Sequence, residues 1–193
     1  MERVRCGPGS AERAAGTIRD GGVVAFPTDT VYGVGCDPYN REAVLRIYDI
    51  KGRDRSKPLP VLVSSADVAA GIARMGPGAA ELAARYWPGP LTMILEVTDA
   101  ALAASMGLAG SIGVRVPGGR CVSILLGMCG MVVGTSANVS GEPSPVRADD
   151  VHIGCDVLLD GGTTPGGTES TIVDARADGG MSVVRRGALE VAL

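Results

Sequence analysis

Residues 22–35, GVVAFPTDTVYGVG, limit how this chain can fold more than any other stretch. Gly22, Val23, Val24, Ala25 and Phe26 read as a buried strand, apolar and rich in strand-forming side chains. Pro27 has no N–H to donate and is expected to end the ladder. Immediately after it come Thr28, Asp29, Thr30 and Tyr32, held between Pro27, Gly33 and Gly35. A core strand that gives way at once to short hydroxyls and glycines reads as the wall of a binding site. Thr28 and Thr30 supply hydroxyls, while Gly33 and Gly35 permit a tight path onward. Asp29 is read as orienting the wall, and Tyr32 either as its lid or floor or as a plain core tyrosine.

The flanking patterns place this strand in an α/β fold. Ser10 is the expected cap of a helix running to about Asp20, with Ala14, Ala15 and Ile18 on one face and Gly21–Gly22 stopping it. Asn40 caps a second helix in which Val44, Ile47 and Tyr48 recur at helical spacing, and Lys51–Gly52 ends it. Leu59 to Val63 reads as a strand, and Ser64, three residues before Asp67, as the cap of a short helix. Pro77 opens another helix that stops before Trp87-Pro88-Gly89-Pro90. Strands are expected at 91–97, 112–116 and 131–134, with a helix over about 120–129, and then at 157–159, 171–174 and 181–185. Strands interleaved with helices predict an α/β domain, and the closer spacing of the later strands predicts a mixed sheet. All 193 residues are expected to form one domain.

Composition removes several function classes. A net charge of −3 does not suit a surface built throughout to coat nucleic acid, although it leaves room for a local basic patch. The aromatic content, one Trp, four Tyr and one Phe, leaves a core of Val, Leu, Ile and Ala and few platforms for stacking bases. Cys6, Cys36, Cys121, Cys129 and Cys155 show no C-x-x-C pair and no zinc spacing, so buried free thiols are expected. No apolar stretch is long enough to span a bilayer, and the N-terminal residues contain no apolar signal segment. A reduced, cytoplasmic protein that does not engage a membrane follows. Neither G-x-x-x-x-G-K-[ST] nor a helix-opening G-x-G-x-x-G is present. The single histidine, His152, stands in an acidic stretch and reads as a solvated surface residue. No serine lies in G-x-S-x-G, and no residues pattern as ligands for a transition metal.

What remains is a chemistry of cations, hydroxyls and backbone amides. KGRDRSKPL, residues 51–59, carries Lys51, Arg53, Arg55 and Lys57 between a helix and an apolar strand. That places the charges at the edge of the core, where loops leaving strand ends gather ligands in open α/β sheets. A solvated loop is the alternative reading. GTSANVSGEPSP, residues 134–145, offers Thr135, Ser136, Asn138, Ser140 and Ser144 directly after a strand. GGTTPGGTESTIVD, residues 161–174, repeats that character; an ordinary turn explains either loop equally well. Arg115, inside IGVRV, and Arg185, at the end of MSVVR, each need a partner, which can be a structural carboxylate or a ligand anion. Taken together these segments describe a site for polyanions, and phosphates fit it.

As an ordered set, PTDTVYGVG, KGRDRSKPL, WPGPLTMIL, IGVRVP, GTSANVSGEPSP and ESTIVD resemble the YrdC-type family of threonylcarbamoyl-AMP synthases, from about Gly21 to Gly187. The resemblance implies a twisted, open mixed sheet flanked by helices around a concave, cationic cavity, here in the short, single-domain form. It implies a reaction in which L-threonine, bicarbonate and ATP give threonylcarbamoyl-adenylate and pyrophosphate. The adenylate would pass to a separate transferase complex for the t6A modification of tRNA, which the protein itself could contact. The family's K-x-R and S-x-N signatures fall on Lys51/Arg53 and Ser136/Asn138, implying catalytic roles for these four residues. By the same similarity Arg53, Lys57, Ser111, Ser136, Ser144 and Arg185 contact ATP. Thr30, Arg115 and Ser170 hold threonine or its carbamate, with Leu62 and Gly134 lining that pocket. No residue is assigned to a metal; Mg2+ would be carried mainly by the ATP phosphates. Two positions depart from the pattern: Leu62 stands where several relatives have His, and Arg186 follows Arg185 where Pro is common. A carbamoyl-adenylate-forming enzyme of the same fold and a non-catalytic RNA-binding module are the rival readings.

Overall fold

A computed structural model describes residues 1–176 and 180–193. In chain order the first half comprises β1 (Glu2–Arg5), α1 (Pro8–Arg19), β2 (Val24–Pro27), β3 (Tyr32–Gly35), α2 (Arg41–Lys51), β4 (Val61–Val63), α3 (Ala66–Ile72), β5 (Ala73–Arg74) and α4 (Pro77–Tyr86). It continues with β6 (Leu91–Val97), α5 (Ala100–Met106), β7 (Ser111–Arg115), α6 (Arg120–Cys129), β8 (Met131–Val133), β9 (Thr135–Ser136), β10 (Val157–Asp160), β11 (Thr171–Asp174) and β12 (Ser182–Arg185).

The strands form two mixed sheets, ordered β1-β10-β2-β3-β9 and β12-β11-β6-β7-β4-β8, with β5 paired to β6. Parallel pairing (β1 with β10, β11 with β6, β4 with β7) alternates with antiparallel pairing (β2 with β3, β6 with β7), so the sheets are mixed as expected. The sheets meet where β3 passes β8. Val133 N–H donates to the Cys36 carbonyl at 2.9 Å, and a Cβ on Gly35 would lie only 1.9 Å from the Val133 carbonyl oxygen. Two buried clusters flank this seam. One joins α1 and α6 to β2 and β10 through Ala14, Ile18, Phe26, Leu125 and Leu159; the other packs α2 to α5 over the larger sheet around Ile47, Leu91, Met93, Leu95 and Ile112.

Helix α2 forms as its signals dictate: the Asn40 side chain accepts from Ala43 N–H, and Gly52 closes the helix at φ 56°. Other boundaries differ. Helix α1 starts at Pro8 rather than behind Ser10, because proline in the first turn needs no acceptor for a missing N–H. The Ser10 hydroxyl donates instead to the Arg5 carbonyl at 2.5 Å. Ser65, not Ser64, caps α3. Pro27 does not end the pairing of β2; it sits opposite Tyr32 in β3. Pairing to β10 covers only Val24 and Ala25, so the missing proline donor costs no ladder bond on that side.

The cysteine expectation needs a larger correction. Cys6 and Cys121 are joined by a disulfide across 115 residues, while Cys36, Cys129 and Cys155 are free. Proximity across the fold, which spacing in the sequence does not encode, brings the β1–α1 turn to the first turn of α6. His152 is exposed, as expected. Among the described residues no helix is long and apolar enough to cross a membrane.

Candidate active site

A cavity of about 300 Å3 lies against the larger sheet, under the loops that leave the smaller one. Its floor follows the two-residue period of strands, which puts alternate side chains on one face. β7 contributes Ser111, Gly113 and Arg115, β6 contributes Thr92 and Ile94, and β4 contributes Leu62. Most of these side chains are small. A Cβ on Gly113 would lie 3.1 Å from Pro60, so the glycine keeps the α2–β4 loop close to the floor.

The inner end is a buried arginine whose Nε, Nη1 and Nη2 each donate to a protein acceptor. The Arg115 guanidinium donates to the Gly89 carbonyl at 3.0 Å, the Thr30 hydroxyl at 3.2 Å and the Asp29 carboxylate at 2.5 Å, with its side chain 7% exposed. Burial lowers its pKa from the usual arginine range, and the charge and hydrogen bond of Asp29 oppose that shift. Strand β2 and the turn after it fix this end: Thr28 Oγ1 donates to the Val31 carbonyl at 2.7 Å and lies 2.9 Å from Thr30 Oγ1. Across the floor, Ser170 Oγ and Thr92 Oγ1 share a hydrogen bond of 2.8 Å. The Ser170 carbonyl accepts from Arg185 at 2.8 Å.

The outer end carries the remaining charges. Arg53 donates to the Lys57 and Pro58 carbonyls, both at 3.1 Å, which curls the α2–β4 loop and leaves the guanidinium on the cavity. Arg185 also lines the cavity, and Glu169 is the carboxylate that lines it with these two arginines. Lys51 is buried behind the wall, 1% exposed, and its ammonium donates to the Ser136 and Asn138 carbonyls. Burial, then the like charge of Arg53, pulls its pKa down to about 8, with Glu169 acting in the opposite sense. The Asn138 amide donates to the carbonyls of Val139 (3.0 Å) and Glu142 (2.7 Å), while its Oδ1 is buried without a partner.

Of the residues singled out in the sequence, Thr30, Arg53, Leu62, Ser111, Arg115, Gly134, Ser136, Ser170 and Arg185 line the cavity. Lys51, Lys57, Asn138 and Ser144 do not. Lys57 is exposed and meets Arg53 through its carbonyl; Ser144 reaches the cavity only through Glu169, to which its hydroxyl donates at 2.5 Å. Arg186 is exposed and off the cavity, so of the two adjacent arginines it is Arg185 that faces it. Asp29 orients the wall through Arg115, and Tyr32 is fully buried, its hydroxyl donating to the Gly162 carbonyl at 2.7 Å. Sequence reading passed over Thr92 and Glu169. Thr92 sits at the start of a well-marked strand whose polar face was the available signal; one acid in a glycine- and threonine-rich loop gave none.

Known proteins resemble this chain in sequence and in fold. The family model Sua5_yciO_yrdC, described as "Telomere recombination", matches residues 16–187. The threonylcarbamoyl-AMP synthase of Pyrococcus abyssi is 38% identical over 167 residues, covering 83% of this chain and 49% of that protein. That of Bacillus subtilis is 38% identical over 178 residues, covering 86% of this chain and 50% of its own length. The chain thus spans about half the length of these curated relatives. The crystal structure of P. abyssi Sua5 complexed with L-threonine superposes with a TM-score of 0.87 at 35% identity, over 96% of this chain and 56% of that one. With six motifs in order, a cavity built from them and a family match over most of its length, the chain belongs to the Sua5/YciO/YrdC family.

Proposed function

We propose that this chain forms threonylcarbamoyl-AMP and pyrophosphate from L-threonine, bicarbonate and ATP, in the cytoplasm. The observation that carries the reading is the two-ended cavity: a buried Arg115–Thr30 corner at one end, Arg53 and Arg185 at the other. The inner corner suits a small amino acid carboxylate, and Ser170 and Thr92 offer hydroxyls for its polar atoms. The outer arginines suit phosphate oxygens, where a guanidinium presents a planar fork. Two names support the assignment: the relatives are threonylcarbamoyl-AMP synthases, and the P. abyssi structure holds L-threonine.

In this reading the threonine amine condenses with bicarbonate to give a carbamate and water. A carbamate oxygen then attacks the α-phosphorus of ATP, and pyrophosphate departs in line. Two anions have to meet, so the protein's contribution is positional and electrostatic. Arg53 faces the charge that develops between them, with Ser111 and Ser136 as hydroxyl donors, while Lys51 and Asn138 hold the loop that carries Ser136. Among the described residues no cluster of three or more His, Cys, Asp or Glu could hold a metal alone. That donor set suits Mg2+ carried by phosphates and water, where it would neutralise phosphate charge. The adenylate would be consumed by a separate transferase acting on tRNA.

Pyrophosphate release from ATP tests the function, measured with and without threonine plus bicarbonate. Release should require both. Turnover with carbamoyl phosphate instead would favour a carbamoyl-adenylate enzyme; salt-sensitive tRNA binding without turnover would favour a binding module. Arg53→Ala should lower the threonine-dependent rate about 10²–10³-fold, the typical cost of losing one preorganised donor. Near-normal turnover in that variant would remove Arg53 from the site.

A further inference from the structure

Glu169 is the one carboxylate among the described residues lining the cavity, and the reaction above gives it no part. Its backbone is held firmly. The Glu169 carbonyl accepts from Ala188 N–H at 2.8 Å, and a Cβ on Gly187 would lie only 2.2 Å from that carbonyl oxygen. The side chain is held as well, since Ser144 Oγ donates to Oε1 at 2.5 Å. Yet no lysine or arginine nitrogen among the described residues lies within 4.0 Å of the carboxylate. Arg53 and Arg185 share the cavity with it. Its charge is felt at Lys51 and Arg185, where it opposes the effect of burial.

An anchored carboxylate that leaves the neighbouring arginines unpaired has a definite consequence for an anionic ligand. Phosphate oxygens drawn in by the arginines also come under the field of a fixed negative charge. Like charges held close together at a partly buried site repel far more strongly than in water. A bare triphosphate therefore meets attraction and repulsion together. A divalent cation between carboxylate and phosphate turns the repulsion into two attractions. Mg2+ is commonly held in this way, by one or two carboxylates together with phosphates and several waters.

We propose that Glu169 makes nucleotide binding depend on a divalent cation, disfavouring free ATP and admitting the magnesium complex, with Ser144 as its positioning residue. The proposal rests on reading the cavity as an ATP site. Equilibrium binding of ATP, titrated by calorimetry in excess Mg2+ and separately in EDTA, tests it on wild type, Glu169→Gln and Ser144→Ala. The glutamine keeps the shape and the acceptor for Ser144, and thermal unfolding checks that each variant is folded. The wild type should bind about 10-fold or more tightly with Mg2+, a coupling in the usual range between linked ligands. Glu169→Gln should narrow that ratio to about threefold or less, mainly by binding metal-free ATP more tightly, with Ser144→Ala in between. An unchanged ratio in Glu169→Gln overturns the role of Glu169 while leaving the ATP site standing. No binding by the wild type under either condition overturns the ATP reading itself, and this proposal with it.

Discussion

Lys51 places an ammonium in the interior, and what it donates to explains why it is there. The Ser136 carbonyl, at the end of edge strand β9, and the Asn138 carbonyl, in the loop beyond it, both accept from Lys51. The loop is closed further by the Asn138 amide and by Ser140 N–H, which donates to the Lys51 carbonyl at 2.8 Å. Lys51 thus ties this stretch to the end of α2. Lys51→Met would leave two carbonyls unpaired, each costing about 1–3 kcal/mol when buried. The expected result is a lower denaturant midpoint and faster amide exchange at Ala137 and Ser140. Unchanged protection at both would rule out this role. The pH dependence has a definite sign. The Lys51 pKa is about 8 in the folded protein against 10.5 for free lysine, so between these values the unfolded chain binds more protons. Wild-type stability, measured relative to Lys51→Met, should therefore rise as pH climbs from about 8 towards 10.5 and be flat below that window. The comparison with Lys51→Met removes the contribution of Cys36, whose thiol burial pushes up to about 12 and which acts in the opposite sense.

At the scale of elements, the seam between β3 and β8 leaves no space for a side chain at Gly35. Its Cα faces the Val133 carbonyl so closely that an alanine Cβ would lie 1.9 Å away, and the atom it meets is backbone. Gly35→Ala must part the two sheets locally and weaken the Val133–Cys36 hydrogen bond; the expected cost is about 1–3 kcal/mol, as for overpacking elsewhere. Chemical denaturation measures it, and an unaffected midpoint would mean that the sheets do not meet in this way. Glycine at 35 was legible as a tight path, but the reason for it, a neighbour about a hundred residues on in sequence, was not. The same division runs through the fold. Helix α2 could be read from Asn40 and Gly52 because caps are local. Strand β1 could not, because Glu2, Arg3 and Arg5 are polar and it lies at the edge of its sheet. Helix α5 went unassigned although Asp99 caps it and Gly107 ends it at φ 66°; its signals were present and short. Thr30, Ser136 and Arg115 were legible because short polar or charged groups at strand ends are unusual in a core, whereas Leu62, Ser111 and Ser170 were named only through the family resemblance. Glu169 was not, since its meaning depends on Arg53, Arg185 and Ser144, brought to it by three different parts of the chain.

For the molecule as a whole, the Cys6–Cys121 bond closes a loop with a sequence separation of 115 that contains β2 and β3 of the smaller sheet and β4 to β7 of the larger one. Cross-linking a loop of that size removes about 4–5 kcal/mol of chain entropy from the unfolded state in the simplest account, and native disulfides typically contribute about 2–5 kcal/mol. The bond also stands next to the inner end of the cavity. Cys121 lies in the first turn of α6, and the turn before that helix holds the wall: Asp29 N–H donates to the Gly118 carbonyl at 3.1 Å, and Gly119 packs on Thr28. Asp29 in turn holds Arg115. Reduction should therefore lower the denaturant midpoint of the wild type and loosen the Asp29–Arg115 corner more than the distant Arg53 side. Thiol titration of the denatured protein should find three free groups before reduction and five after. Cys121→Ser should start at the lower midpoint and lose nothing more to a reductant. A wild type that titrates five thiols without reduction, and whose midpoint ignores the reductant, would show that the two sulfurs lie close without being joined. In that case the inner corner would depend on the Gly118–Asp29 hydrogen bond and the packing of α6 alone.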